Sequence, residues 1–154
     1  MFSGKQTAAS YISYLSQDST GKRDLIAEQR MSQKKRILMI DDHEDTCLMV
    51  RLILGQAGYD LTFAYTMTDG LRLARQQPFD LYIIDLWFED GEGLDLCQQI
   101  RAFNLSAPIV VYSADVYPAS QAQAMQAGAQ AFIPKPSNLE VLTETVQRLL
   151  ASPQ

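Results

Sequence analysis

Four polar stations directly follow short apolar runs in this sequence. Asp41-Asp42 follows Ile37-Leu38-Met39-Ile40, Asp85 follows Leu81-Tyr82-Ile83-Ile84, Ser113 follows Ile109-Val110-Val111-Tyr112, and Lys135-Pro136 follows the run that begins Ala131-Phe132-Ile133. Taken singly, an Asp at the end of such a run is usually a turn or cap residue, and a Lys there is usually solvated. Taken together they can do chemistry. Three carboxylates in one partly buried pocket repel one another, so either a proton is taken up or a cation sits among them. Oxygen-only ligands favour Mg²⁺, a hard ion usually bound by one or two carboxylates together with water and a phosphate. An Asp at the centre of such a site can attack phosphorus and become an acyl phosphate. The metal and a lysine then neutralise the equatorial oxygens, and a serine hydroxyl donates to them.

That chemistry requires residues far apart along the chain to meet at one place. The pattern of elements supplies the means, because short, nearly continuous apolar runs alternate with helix-period segments, as expected of βα units around a parallel sheet covered on both faces. Five strands are predicted: Ile37 to Ile40, Leu61 to Ala64, Leu81 to Ile84, Ile109 to Tyr112 and Ala131 to Ile133. Helices are predicted near Asp45 to Gln56, Thr68 to Gln76, Leu94 to Phe103, Ser120 to Gln126 and Asn138 to Leu150. Gly58 and Gly128 fall just past helices, where a left-handed residue belongs, and Ser137 or Asn138 can cap the last helix after Pro136. In an open sheet of this kind ligands bind outside the carboxyl ends of the strands, where the four stations lie.

Composition agrees with one domain and an arm. The chain has 154 residues, 47% hydrophobic and 20% charged, which excludes wholesale disorder and a disulfide-dense scaffold. Residues 1 to 36 carry seven Lys/Arg against three Asp/Glu, whereas the remainder carries six against fifteen. The domain is therefore acidic, which disfavours direct contact with nucleic acid. No run approaches the roughly 18 apolar residues of a membrane span and no signal-peptide order opens the chain, so the expected location is cytoplasmic. Cys47 and Cys97 are read as buried thiols, and the Asn104-Leu105-Ser106 sequon as chance. Residues 1 to 33 are read as an arm, flexible or with one short helix on Ala8, Tyr11, Ile12 and Leu15, followed by the domain over 34 to 154.

These residues as a set resemble the receiver, or response regulator, domain of two-component signalling over Arg36 to Ala151. The resemblance implies a doubly wound, flavodoxin-like α/β fold: five parallel strands in the order 2-1-3-4-5, with helices on both faces. It implies that Asp85 is the phosphoacceptor and that Mg²⁺ is held by Asp42 directly, by Asp41 mainly through water, by Asp85 and by the backbone carbonyl of Trp87. Ser113 is then the hydroxyl that moves to the phosphoryl group, Lys135 the phosphate-binding lysine joined to Pro136 by a cis bond, Phe132 the aromatic switch and Gly93 the loop glycine. The implied partners are a sensor histidine kinase or a histidine phosphotransfer protein as donor and a downstream protein as target.

The loop after the acceptor departs from the family. Trp87-Phe88-Glu89-Asp90-Gly91-Glu92 lacks the usual Met-Pro and places three acids near the site, which bears on phosphoryl lifetime. Asp115 reads equally as a tuning acid and as a turn residue. His43, after the acidic pair, is read as an exposed helix-entry residue, because a hard oxygen site has little use for imidazole. Residues Ala127 to Ala131 lack the acids that support one known mode of receiver dimerisation, although a homodimer stays open. The chain ends at Gln154, so the expectation is a stand-alone response regulator that is a phosphoacceptor protein rather than an enzyme, relaying phosphate or switching conformation to bind a partner. Two alternatives remain: a phosphorylation-independent receiver-fold adaptor, and a small aspartyl-phosphate phosphatase. The second wants Asp-x-Asp at the end of the first strand, where this chain has Asp41-Asp42-His43.

Overall fold

A computed structural model describes residues 33–136 and 139–151. In chain order the elements are β1 (Arg36–Ile40), α1 (Glu44–Gln56), β2 (Asp60–Ala64), α2 (Met67–Gln76), β3 (Leu81–Ile84), β4 (Trp87–Phe88), β5 (Gly91–Glu92), α3 (Gly93–Phe103), β6 (Ile109–Ser113), α4 (Pro118–Gln126), β7 (Ala131–Pro134) and α5 (Leu139–Ala151). The five predicted strands and five predicted helices are all present, each with its bounds shifted by at most two residues. The additions are β4 and β5, which pair with each other as a short antiparallel ribbon. The predicted arm and the Ser137 or Asn138 cap lie outside the described residues.

The main sheet is parallel, in the order β2-β1-β3-β6-β7. With the ribbon set aside this is the 2-1-3-4-5 order expected from the resemblance, and β3 takes the central place. Registers run Ile37 beside Leu81, Tyr82 beside Ile109, and Val111 beside Phe132. Every residue of β3 is buried, which is why the strands read as unbroken apolar runs rather than as alternating ones.

Alternation is still present, but it sorts apolar residues between two cores. Leu38, Ile40, Tyr82, Ile84, Ile109 and Val111 pack with Leu96, Cys97 and Ile100 of α3 and with Ala124 of α4. Ile37, Met39, Leu81, Ile83, Val110 and Ile133 pack with Val50 and Leu54 of α1 and with Leu142 and Val146 of α5. Gly58 and Gly128 have φ of +95° and +105°, so the helix-ending role read from sequence holds at both. Both thiols are buried, and burial pushes the pKa of Cys47 and of Cys97 up to about 12. Because the thiolate is the nucleophile, neither should be alkylated by iodoacetamide at pH 8 in the native protein. Both should react in urea, and intact mass reads the difference.

Arg101, near the end of α3, fixes the end of the domain remote from the polar stations. Its guanidinium donates to the carbonyls of Asn104 (2.9 Å), Ala107 (2.7 Å) and Gly128 (2.9 Å) and to the side-chain oxygen of Gln130 (2.7 Å). It thereby ties α3, the turn before β6 and the turn after α4 through neutral acceptors alone. Asn104 is also spent on turn geometry, since its Oδ1 accepts from the Ala107 N–H at 3.0 Å. Arg101→Met would take the donor from the part-buried carbonyls of Asn104 and Ala107, each worth about 1–3 kcal/mol. The expected loss is about 3 kcal/mol, read as a lowered urea midpoint with an unchanged slope.

Candidate functional site

The ladder that builds the sheet also carries the polar stations to one edge. The Asp41 N–H donates to the carbonyl of Ala64 (3.0 Å), the Asp85 N–H to Ile40 (3.0 Å) and the Lys135 N–H to Ser113 (2.7 Å). Each residue is thus held by the neighbouring strand at the point where its own strand ends. Asp41, Asp85 and Ser113 are buried, with exposures of 0%, 4% and 0%, whereas Asp42 is exposed. Among the described residues these are unusual, because ionisable side chains are seldom buried unless paired.

The pairing is supplied by Lys135, whose Nζ stands 2.6 Å from Asp41 Oδ2 and 3.3 Å from Asp85 Oδ2. Burial alone would lower the Lys135 pKa. The hydrogen bond and charge of Asp41, and then those of Asp85, outweigh it and hold the ammonium above its ordinary value. The same Nζ lies 5.3 Å above the centre of the Tyr112 ring. The Lys135–Pro136 bond is cis, as the resemblance implies. Asp85 Oδ1 accepts the Leu86 N–H at 2.7 Å. A cleft of about 160 Å³ opens onto Asp85 between His43, Thr46, Trp87, Ser113 and Lys135.

His43 does more than its sequence reading allowed. It is exposed and occupies the N-cap position of α1, as expected of a helix-entry residue. Its backbone N–H donates to Asp41 Oδ1 (2.9 Å). Nδ1 lies 2.8 Å from Asp42 Oδ1 and 3.1 Å from Asp41 Oδ1. Ligand atoms of Asp41, Asp42, His43 and Asp85 all fall within 4.8 Å of one another, a group that could hold a metal ion.

The loop acids separate into different roles. Asp90 caps α2, accepting the Met67 N–H (3.0 Å), the Thr68 N–H (2.9 Å) and the Thr68 hydroxyl (2.7 Å). Those bonds, the Thr68 N–H foremost, hold its carboxyl below the ordinary value. Glu89 lines a wider cleft of about 510 Å³ with Asp42, Tyr65 and Thr66. Asp115 takes the turn reading of its two: its carboxylate accepts the Tyr117 N–H (2.9 Å) and the Ser120 hydroxyl (2.8 Å) at the entry to α4, while its N–H donates to Ser113 Oγ (3.3 Å). Phe132 is half-buried on β7 against the core that faces α3 and α4. Trp87 is 57% exposed at the cleft mouth. Sequence reasoning missed Thr46 in the cleft wall and the Asp90 clasp. Thr46 carried no signal beyond its place in the first turn of α1, whereas Asp90 followed by Gly91 is a turn pair that could have marked the ribbon.

The response regulator receiver domain family matches residues 37–147 of this chain. The transcriptional regulatory protein ZraR of Salmonella typhimurium is 30% identical over 115 residues, spanning 75% of this chain and 26% of that protein. The transcriptional regulatory protein KdpE of Mycobacterium tuberculosis is 34% identical over 116 residues, spanning 75% of this chain and 50% of that protein. The chain thus spans half or less of these curated relatives. The non-phosphorylated HemR receiver domain of Leptospira biflexa superposes with a TM-score of 0.74 at 29% identity, covering 79% of this chain and 98% of that one. No helix among the described residues is long and apolar enough to cross a membrane. With the sheet order, the buried acids and the family match in agreement, the chain belongs to the response regulator receiver domains of two-component signalling.

Proposed function

We propose that Asp85 accepts a phosphoryl group from a phosphohistidine on a sensor histidine kinase or histidine phosphotransfer protein, with Mg²⁺ as the cofactor. The phosphorylated domain then binds a downstream protein or passes the phosphoryl group on. The observation that carries this reading is the buried Asp85 carboxylate at the end of the central strand, open to a cleft and facing the ammonium of Lys135. One carboxylate oxygen would form the new O–P bond as the N–P bond of the donor breaks and its imidazole leaves. Bound Mg²⁺ would supply positive charge for the phosphoryl oxygens in flight. The donor set fits that ion, since Asp41, Asp42 and Asp85 offer hard carboxylate oxygens and the Trp87 carbonyl would complete the protein ligands.

The remaining steps belong to the chain's own residues. Lys135 exchanges its Asp85 contact for a phosphoryl oxygen while keeping Asp41. Ser113, buried beside the same cleft, donates its hydroxyl to the phosphoryl group. Its movement vacates space toward Phe132, which joins the acceptor to the face formed by α4, β7 and α5. In this reading the chain is a phosphoacceptor and not an enzyme acting on a separate substrate.

The test is intact-protein mass after incubation with acetyl phosphate and Mg²⁺, beside Asp85→Asn and a chelated control. A phosphoryl-sized gain that requires Mg²⁺ and vanishes in Asp85→Asn is expected. No gain from acetyl phosphate, from phosphoramidate or from a panel of histidine kinases would overturn it in favour of a phosphorylation-independent adaptor.

A further inference from the structure

The position of the His43 ring against the acids has no part in the chemistry above. Two ligand atoms at 2.1 Å from an octahedral ion stand about 3.0 Å apart when adjacent and about 4.2 Å apart when opposite. Measured from His43 Nδ1, the Asp42 and Asp41 oxygens lie at 2.8 Å and 3.1 Å, and Asp85 Oδ2 at 3.9 Å. These are hydrogen-bonding and ion-pair contacts of the ring, and they place Nδ1 at a corner of the carboxylate cluster, close to two acids and farther from the third, where it could also face an ion held by all three. The His43 backbone N–H bonds to Asp41 Oδ1, and the residue occupies the N-cap position of α1 in an extended conformation.

We infer that His43 is a fourth side-chain ligand and gives the acidic site a mixed nitrogen and oxygen donor set, which selects borderline first-row divalent ions such as Ni²⁺ and Zn²⁺ over Mg²⁺. This rests on the proposed use of the same carboxylates as a Mg²⁺ site. Imidazole suits nickel, copper and zinc, whereas an all-oxygen set gains little from them beyond their general order of affinity. The consequence is a receiver whose metal occupancy follows which divalent ion is present. A Ni²⁺-loaded or Zn²⁺-loaded protein would meet its phosphodonor with the imidazole drawn into the cleft that opens onto Asp85.

The experiment is calorimetric titration of the untagged full chain with Ni²⁺ alone, with Mg²⁺ alone, and with Ni²⁺ in the presence of Mg²⁺, for the wild type and for His43→Gln. His43 is the only histidine of the chain, so an imidazole contribution has one source. Glutamine keeps the backbone N–H that holds the turn and removes the ring nitrogen. The expected result is competition between the two ions in the wild type, with the ratio of Ni²⁺ to Mg²⁺ affinity falling about tenfold or more in His43→Gln. Using the ratio removes any general loss of fold that the variant suffers. An unchanged ratio overturns the inference and leaves the Mg²⁺ reading intact, as does Ni²⁺ binding that Mg²⁺ does not compete with. If neither ion binds and acetyl phosphate gives no mass gain, the Mg²⁺ reading itself fails and the inference with it.

Discussion

Gly93→Ala is expected to lose both stability and phosphoryl uptake, although alanine is the best helix former and this position opens α3. A Cβ at Gly93 would stand 2.0 Å from the Asp85 carbonyl oxygen and 2.7 Å from the Leu86 Cα. Both obstacles are backbone, so no rotamer relieves them. The closeness has a cause: the Gly93 N–H donates to the Leu86 carbonyl at 2.7 Å, which closes the ribbon of β4 and β5 and brings the start of α3 against the acceptor strand. Making room means moving either the ribbon or the backbone of Asp85 itself. Overpacking in a closed core costs typically 1–3 kcal/mol, and more where backbone must shift, so about 3 kcal/mol or more is expected. For a domain of this size that is a melting temperature lower by roughly 10–15 °C. Below its melting temperature the variant should take up phosphoryl groups more slowly, because the shifted atoms carry the nucleophile. Gly55→Ala is the control of opposite sign. Gly55 sits in α1 with nothing within 4 Å of the added Cβ, so up to about 1 kcal/mol of helix propensity should appear as added stability. If Gly93→Ala melts like the wild type, the ribbon is not what fixes the acceptor backbone.

The contrast between these glycines marks what was legible in the sequence. The five strands could be read because both faces of the sheet are covered, which makes each an apolar run ended by a polar residue. The site could be read for the same reason: Asp41, Asp85 and Ser113 stand where those runs stop, and the topology alone brings strand ends together. Gly58 and Gly128 were legible from their position after helices. The ribbon left no periodicity to detect with two residues per strand, so Asp90-Gly91 was its one local signal, and its acids read as one negative loop. In space Asp90 is committed to the start of α2 through Met67 and Thr68, more than twenty residues back along the chain. In sequence Asp115 reads equally as a tuning acid and as a turn residue, and its bonds to Tyr117 and Ser120 place it at the entry to α4. His43 reads as an exposed helix-entry residue and is exposed at the N-cap of α1, whereas the approach of its Nδ1 to Asp41 and Asp42 leaves no trace in composition.

Lys135→Ala tests how the buried acids are kept together. In the wild type its ammonium is the partner of Asp41 and Asp85, whose side chains are 1% and 5% exposed. Removing one member of a buried pair leaves an uncompensated charge and typically costs 3–5 kcal/mol. The lower end, about 3 kcal/mol at neutral pH, is expected here because water can enter through the cleft. The loss should depend on pH in a stated direction. Asp41 and Asp85 hold the Lys135 ammonium above its ordinary 10.5, so its contribution is complete below that value and fades as pH rises through the raised one. Wild type and variant should therefore differ fully at pH 7 to 10 and converge only in stronger alkali. A divalent cation should act the other way. With the ammonium gone, Mg²⁺ meets the carboxylates without a competitor, and at a hundredfold its dissociation constant an ion adds about 2.7 kcal/mol. Mg²⁺ should thus raise the melting temperature of Lys135→Ala by more than it raises that of the wild type. On the proposed function, the variant still gains the phosphoryl mass at Asp85 but no longer passes the change to Ser113 and Phe132, which hydrogen exchange along β7 and α4 would show as protection unaltered by phosphorylation. A variant as stable as the wild type without Mg²⁺, or one that Mg²⁺ fails to stabilise further, would mean that the acids are held by something other than Lys135.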